Sequence, residues 1–513
     1  MLLEPKDVNF IASCLVTCVP DQWVHQLDAK RPGTEAVVLL IAALLTTGFS
    51  QAWHATCLLK QLLLAWATVE LAFLVYQRWR YHAINEVVVP GKWDAARMRA
   101  MQDRFLTLSG VFGIREFMEG WFKGAPLEQI KRGNVEELVA YAFYAATVDK
   151  MTSQKRKSAH AFVGEIEQAW GVQFEEGYDP SLRFMAHCWE PLRVIPKPLA
   201  VHLASEAVGM ACHLAIQCCG FSKRRCQGIN YWVREPQPGE GVMQTPAGPR
   251  NMHVRGSAVS KMPAGASGGA PAARRPIMFL HGVGCGLVPY FMFVRGIMNA
   301  YPGHPIMLLE VRHVSLRLCL RATDVDDIAH AAAAILHRHG YQEACFVAHS
   351  FGTFCVSRIC QLHREIVQSV VLIDPVCLLT CFPQLLYSFV YKVPNWRQFS
   401  TLLGCMDAAR FIVARDLIIA ETFCRKFIWH ALMLWPHEMP RDALIVLSAK
   451  DDLVPGELVK VQLQASNSPA RVMYHPTAGH GGFLVDFEWQ RQVIENMEAI
   501  VGGPSRRVLR KRM

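Results

Sequence analysis

The stretch Ala344-Cys-Phe-Val-Ala348-His349-Ser350-Phe351-Gly352 decides the fold. It reads as an apolar strand, a lone Ser, and then a helical pattern from 353 to 362. A nucleophile elbow needs a tight strand-to-helix turn that lifts Ser Oγ above a sheet. The residues two before and two after the Ser must be small, because larger side chains collide there. Gly352 meets that demand. Ala348 stands where Gly is usual and adds one methyl, the smallest extra bulk. Ser350 is the candidate nucleophile.

The surrounding sequence repeats the strand-helix alternation. Apolar strands are expected at 277–280, 306–311, 344–348, 369–373, 444–447 and 471–474, with a helix over 324–339. A further strand-like run lies at 230–234. Continuous apolar strands alternating with helices argue a mostly parallel sheet covered on both faces. The stretch 376–442 interrupts the alternation and reads as a helical cap. Residues 235–272 hold seven Gly and six Pro, a flexible insert that cannot bury a core. Residues 81–227 read mainly as helices, including 114–124 and 135–147. The run 199–221 is long and apolar but carries His202, Glu206 and His213; it is expected to be a buried helix, with a place on the membrane as the alternative.

Three other segments supply chemistry. His281-Gly282-Val283-Gly284 closes an apolar strand 69 residues before Ser350. An acyl-transfer site needs two backbone N–H groups aimed at the developing oxyanion, and those of Val283 and Phe351 are the candidates. Asp451 follows the strand 444–447 in Ser448-Ala-Lys-Asp451-Asp452-Leu-Val-Pro455, where a carboxylate can orient a His. His480 lies in the Gly-rich loop Thr477-Ala-Gly-His480-Gly-Gly482. The order Ser350, acid, His480 is the order that accompanies such an elbow. Asp374 and Asp452 are rival acids, and His475 is the rival base. His349 is expected to point away from the site, since consecutive side chains diverge. No His cluster has metal-ligand spacing, so neither a metal nor a cofactor is expected.

Taken together, HGVG, AHSFG, DDLVP and AGH resemble the α/β-hydrolase superfamily over residues 228–500. The resemblance implies that fold, with Asp451, the first residue of the D-x-L-V-P element, as the acid. More narrowly, Phe279 to Gly284, Gly286 to Tyr290, His349 to Thr353 and Ile373 to Val376 resemble a membrane-anchored eukaryotic branch with a long helical N-terminal region. Some lipid-linked relatives carry an Asp five positions after the catalytic His, a feature associated with acyl transfer. Here Asp486 is displaced by one residue, which weakens that reading.

The N-terminal region points to a membrane. No Asp, Glu, Lys or Arg occurs from Ala36 to Leu59, and about 20 apolar residues suffice to span a bilayer. A second apolar run, 61–77, contains only Glu70. Lys30 and Arg31 precede the first run; Arg78 and Arg80 follow the second. Two spans place both basic flanks on one side, so a hairpin over 34–80 is expected, after an N-terminal segment 1–33. One span with an interfacial helix is the alternative.

Over all 513 residues the chain is 52% hydrophobic and 19% charged, which excludes a disordered protein. The net charge of +10 is not gathered on one segment, so nucleic acid is not an expected partner. In the tail 501–513, Arg506, Arg507, Arg510, Lys511 and Arg512 match an anionic membrane surface. The 17 Cys form no C-x-x-C pair, and no N-glycosylation acceptor occurs. Free buried thiols and a cytosolic catalytic part are expected. The expected activity is hydrolysis of a lipophilic carboxylic ester by a membrane-anchored serine hydrolase, with membrane lipids as partners. A lipid acyltransferase on the same triad and a non-catalytic scaffold are the alternatives.

Overall fold

The structure, a computed structural model, describes residues 53–86, 95–236, 274–398 and 400–501. The segment 1–33, most of the first apolar run, nearly all of the 235–272 insert and the basic tail lie outside the described residues. The chain divides into two units, Met1–Ala72 and Phe73–Met513.

In the first unit, the described residues belong to the helix Trp53–Ile84, which continues into the second unit. Its residues Leu62, Leu63, Leu64, Trp66, Val69 and Leu71 are exposed apolar side chains. The helix passes through Lys60 without a break.

The second unit is built on an eight-stranded sheet in the order β1-β2-β4-β3-β5-β6-β7-β8. The strands are β1 (Ser222–Cys226), β2 (Ile229–Arg234), β3 (Ile277–Leu280), β4 (Ile306–Glu310), β5 (Ala344–His349), β6 (Val367–Ile373), β7 (Asp442–Ser448) and β8 (Arg471–His475). From β4 to β8 every pairing is parallel, while β1–β2 and β2–β4 are antiparallel. The sheet thus starts at Ser222, before the expected boundary at 228. The strand β1 was missed because Ser-Lys-Arg-Arg-Cys leaves four of its five side chains exposed. A polar, charged sequence of this kind marks an edge strand.

The central strands are buried on both faces, and their alternation divides the core. Ile277 and Phe279 face one layer, with the helices Phe291–Ala300 and Phe487–Val501. Met278 and Leu280 face the other, with the helices Val325–Arg338 and Phe351–Leu362. This second layer continues without a break into the N-terminal helices. Phe105, Phe143 and Phe162 from those helices pack around Trp429 and one another. Trp121 Nε1 donates to Cys381 O (3.0 Å) and Trp429 Nε1 donates to Ala142 O (3.0 Å). The helical region and the cap therefore share one core.

The helix Leu199–Cys218 departs from expectation: of its residues only Gly209 and Ile216 are buried. Among the described residues it is the one helix long and apolar enough to cross a membrane. Every described Cys is free. Burial pushes the thiols of Cys345, Cys377 and Cys381 up to about 12, so they stay protonated.

Candidate active site

The candidate residues stand at the carboxyl ends of successive parallel strands. Ser350 follows β5, Asp374 follows β6, Asp451 follows β7, His480 follows β8, and the His281–Gly284 turn follows β3. A parallel sheet brings these loops to one edge although the chain separates them widely.

Ser350 has φ +51° and ψ −122°, a conformation rare for a side-chain-bearing residue. Its N–H donates to Ile373 O (3.0 Å) and its carbonyl accepts from Thr353 N–H (2.8 Å) and Thr353 Oγ1 (2.6 Å). These bonds hold the turn. A Cβ at Gly352 would lie 2.3 Å from Leu280 O, so no larger residue fits there. Ala348 is fully buried between Leu280 and Leu372 of the neighbouring strands, and its methyl is accommodated.

His480 Nε2 lies 2.8 Å from Ser350 Oγ, and His480 Nδ1 lies 2.8 Å from Asp451 Oδ2. Asp451 Oδ1 accepts from the N–H groups of Leu453 (2.8 Å) and Val454 (2.9 Å). That fixes the carboxylate and directs its other oxygen to the imidazole. Burial disfavours the His480 cation. The field of Asp451 and its hydrogen bond, reinforced by Asp374 and Asp452, outweighs burial and raises His480 to about 9.

The rival residues have other partners. Asp452 pairs with Arg410 (2.5 Å) and Lys392 (3.5 Å) of the cap. His475 Nδ1 accepts from Thr477 and Ala478 N–H, and its Nε2 faces Asp486 Oδ2 at 3.3 Å. Asp486 also accepts from Trp489 N–H (2.8 Å), at the start of the last helix. Both residues brace the loop that carries His480 and lie outside the Ser–His contact.

Asp374 does join the site, in a different position from Asp451. Its Oδ2 accepts from Gly481 N–H (2.8 Å), next to His480, and its Oδ1 accepts from Ser448 Oγ (2.8 Å). His349 Nε2 faces the same Oδ2 at 3.5 Å, an ion-pair distance that is long for a hydrogen bond. The expectation that His349 points away is overturned: its ring lies 5.5 Å from that of His480. Strand alternation would separate His349 from Ser350, but the positive φ at Ser350 ends the pleat between them.

A chain of contacts continues from His349 to the turn after β3. His349 Nδ1 is 2.7 Å from Tyr290 OH, and Gly282 N–H donates to that phenol oxygen (2.9 Å). A Cβ at Gly282 would lie 2.9 Å from Ser350 Cβ, so this turn sits directly against the Ser. His281 is buried, with Nδ1 2.8 Å from Gly282 O and Nε2 accepting from Val311 N–H. Val283 is the next residue of that turn, and Phe351 opens the elbow helix. The first N–H groups of a helix have no partner within it. Sequence reasoning missed Tyr290 as a site residue. The signal was present in Gly286-Leu-Val-Pro-Tyr290, but one Tyr in a loop has no period or spacing to mark it.

Asp374, Asp451 and His480 each offer a donor atom within 4.8 Å of the others, close enough to share a cation. All four carboxylate oxygens already accept protein hydrogen bonds. The donor set is thus organised around His480 and the loop backbone.

The sheet order, the strained Ser after β5 and the Ser350–His480–Asp451 contacts define an α/β-hydrolase-fold protein. The sequence model described as alpha/beta hydrolase fold matches residues 298–402. Over those residues the sequence is similar to that family, and the sheet order has the same fold. Among solved structures it is similar to the carboxylesterase CesB from Bacillus subtilis, at 12% identity over 60% of this chain and 100% of that one, with a TM-score of 0.36. It is also similar to a serine hydrolase from Cycloclasticus zankles, at 13% identity over 54% and 98% of the two chains, TM-score 0.35. A third likeness is to a bacterial membrane phospholipase A, at 14% identity over 59% and 96%, TM-score 0.38. A comparison with curated protein sequences finds no match.

Proposed function

We propose that this protein is a membrane-anchored serine hydrolase that cleaves lipophilic carboxylic esters. The observation that carries the reading is the continuous relay from Ser350 Oγ through His480 to Asp451, with 2.8 Å at both steps. Ser350 Oγ attacks the ester carbonyl while His480 Nε2 takes its proton. Asp451 orients the ring and stabilises the imidazolium. The N–H groups of Val283 and Phe351 hold the tetrahedral oxyanion. Collapse expels the alcohol, which takes the proton from His480. A water then gives a proton to His480 and attacks the acyl-enzyme; as the acid leaves, His480 returns that proton to Ser350 Oγ. The preference for lipophilic esters draws support from the apolar cap and from the exposed apolar residues of the helix Trp53–Ile84.

A fluorophosphonate probe applied to membranes holding the full chain tests the chemistry. Wild type is expected to label, and folded Ser350→Ala and His480→Ala variants to lose labelling. Absence of labelling in folded wild type, with detergent present to open the cap, overturns the enzyme reading.

A further inference from the structure

We propose that the helix Leu199–Cys218 is an in-plane membrane-docking element that seats the catalytic unit on an anionic bilayer surface. The helix is inverted relative to a surface helix of a soluble protein, which turns its apolar stripe inward. Here the apolar side faces out: Val201 is 50%, Val208 50%, Met210 60% and Leu214 64% exposed. No exposed residue of the helix is charged.

The polar side faces the protein. Glu206 accepts from Arg312 (2.8 Å), Arg317 Nε (2.7 Å) and Leu318 N–H (3.0 Å). His213 Nε2 meets Glu310 Oε1 at 2.9 Å.

By the rise of an α-helix, 20 residues extend about 30 Å, enough to span. The ends forbid it. At the N-terminal end, Ile195 N–H donates to Arg415 O (2.9 Å) and Lys197 Nζ pairs with Asp416 (3.0 Å). At the C-terminal end the chain enters β1 of the sheet within four residues. Both ends belong to one folded body and stay on one side of a bilayer, so the helix lies along the interface.

The neighbouring surface fits the same occupant. Phe73 packs on His202 with ring centroids 5.5 Å apart, and Gln77 Nε2 donates to Lys197 O (2.7 Å). On that adjoining helix Trp79 is 62% exposed, a residue suited to the headgroup level. Directly after the docking helix, β1 exposes Lys223, Arg224 and Arg225, which complement anionic headgroups. The helix also packs on the turn Val288–Tyr290, whose Tyr290 holds Gly282 beside Ser350. The docking helix, through its protein-facing side, therefore adjoins the loops of the candidate active site.

This inference deepens the membrane part of the proposed function and does not depend on its chemistry. The test reconstitutes the full chain in phosphatidylcholine–phosphatidylserine vesicles containing a diazirine-bearing phosphatidylcholine, with adducts mapped by mass spectrometry after photolysis. Adducts are expected on 199–218, at Val208, Met210 and Leu214. Adducts confined to other segments overturn the docking helix and leave a membrane anchor standing. No adducts anywhere overturn both. Cross-links from this face to a second copy of the chain replace the bilayer as the occupant. The triple variant Val208→Lys, Met210→Lys, Leu214→Lys is expected to lose those adducts and to hydrolyse a vesicle-borne ester at least about tenfold more slowly, its fluorophosphonate labelling unchanged. Unchanged adducts in that variant also overturn the inference; unchanged turnover of a vesicle-borne ester that the wild type hydrolyses overturns the link between docking and the active site.

Discussion

At the residue scale, the decisive group is His480. In the proposed mechanism it must be neutral to take the Ser350 proton, and its acidic neighbours raise it to about 9. The kcat/KM for a soluble ester is therefore expected to fall about tenfold per pH unit below that inflection. Stability moves in the opposite direction. A His raised above its unfolded value contributes stability that is complete below about 6.5 and lost as pH rises through about 9. Asp374→Asn keeps an acceptor for Gly481 N–H but removes one of the charges facing His480, so the inflection is expected to move down. A pH–rate profile checks this; an unmoved inflection with lower kcat would assign Asp374 to loop geometry alone. Ser350 and His480, which the structure brings into contact, were legible as candidates because each sits in a short motif with a mechanical reason for its neighbours; Asp451 was one of three candidate carboxylates. Tyr290 and His349 were not, because their place depends on a backbone reversal at Ser350 and on a contact between distant loops.

At the scale of elements, the cap is fastened to the acid-bearing loop. Arg410 and Lys392 of the cap hold Asp452, beside Asp451, and Gln384 Nε2 donates to Asp451 O (2.9 Å). Arg410→Met and Asp452→Asn are each expected to quicken fluorophosphonate labelling several-fold and to lower Tm by a few degrees. The double variant is expected to add little to Asp452→Asn alone, since that change already removes the Arg410–Asp452 contact, a partly exposed pair worth about 0.5–1 kcal/mol. Additive effects in thermal-shift and labelling measurements would show that the two residues act separately. The parallel strands were legible from their apolar runs because both faces are covered. The strand β1 was not, because an edge strand needs no such run. The helix Leu199–Cys218 misled in the opposite sense: an apolar run identifies a face that avoids water, but not whether protein or another apolar phase covers it.

At the scale of the whole molecule, the helical region and the catalytic layer share one core. Phe112 packs on Phe382, and Phe105 and Phe143 pack on Trp429. A fragment of residues 222–501 would expose these cap side chains, each costing about 1.5–3 kcal/mol. A few such losses consume the roughly 5–15 kcal/mol that holds a typical domain folded. The fragment is expected to aggregate or be digested under conditions in which the full chain is stable to limited proteolysis. A soluble, probe-reactive fragment would instead show that the helical region is an independent addition.

The sequence by itself determined the parallel sheet, the elbow, and the order of the candidate Ser, acid and His along the chain. These depend on local demands: small residues at a tight turn, apolar runs in covered strands, Gly in a close-approach loop. The tertiary structure decided which of three carboxylates meets His480 Nδ1, that His349 and Tyr290 connect two loops of the site, and that the helical region completes the cap's core. Those outcomes depend on distances between residues far apart in the chain, and neither composition nor spacing encodes a distance across a sheet.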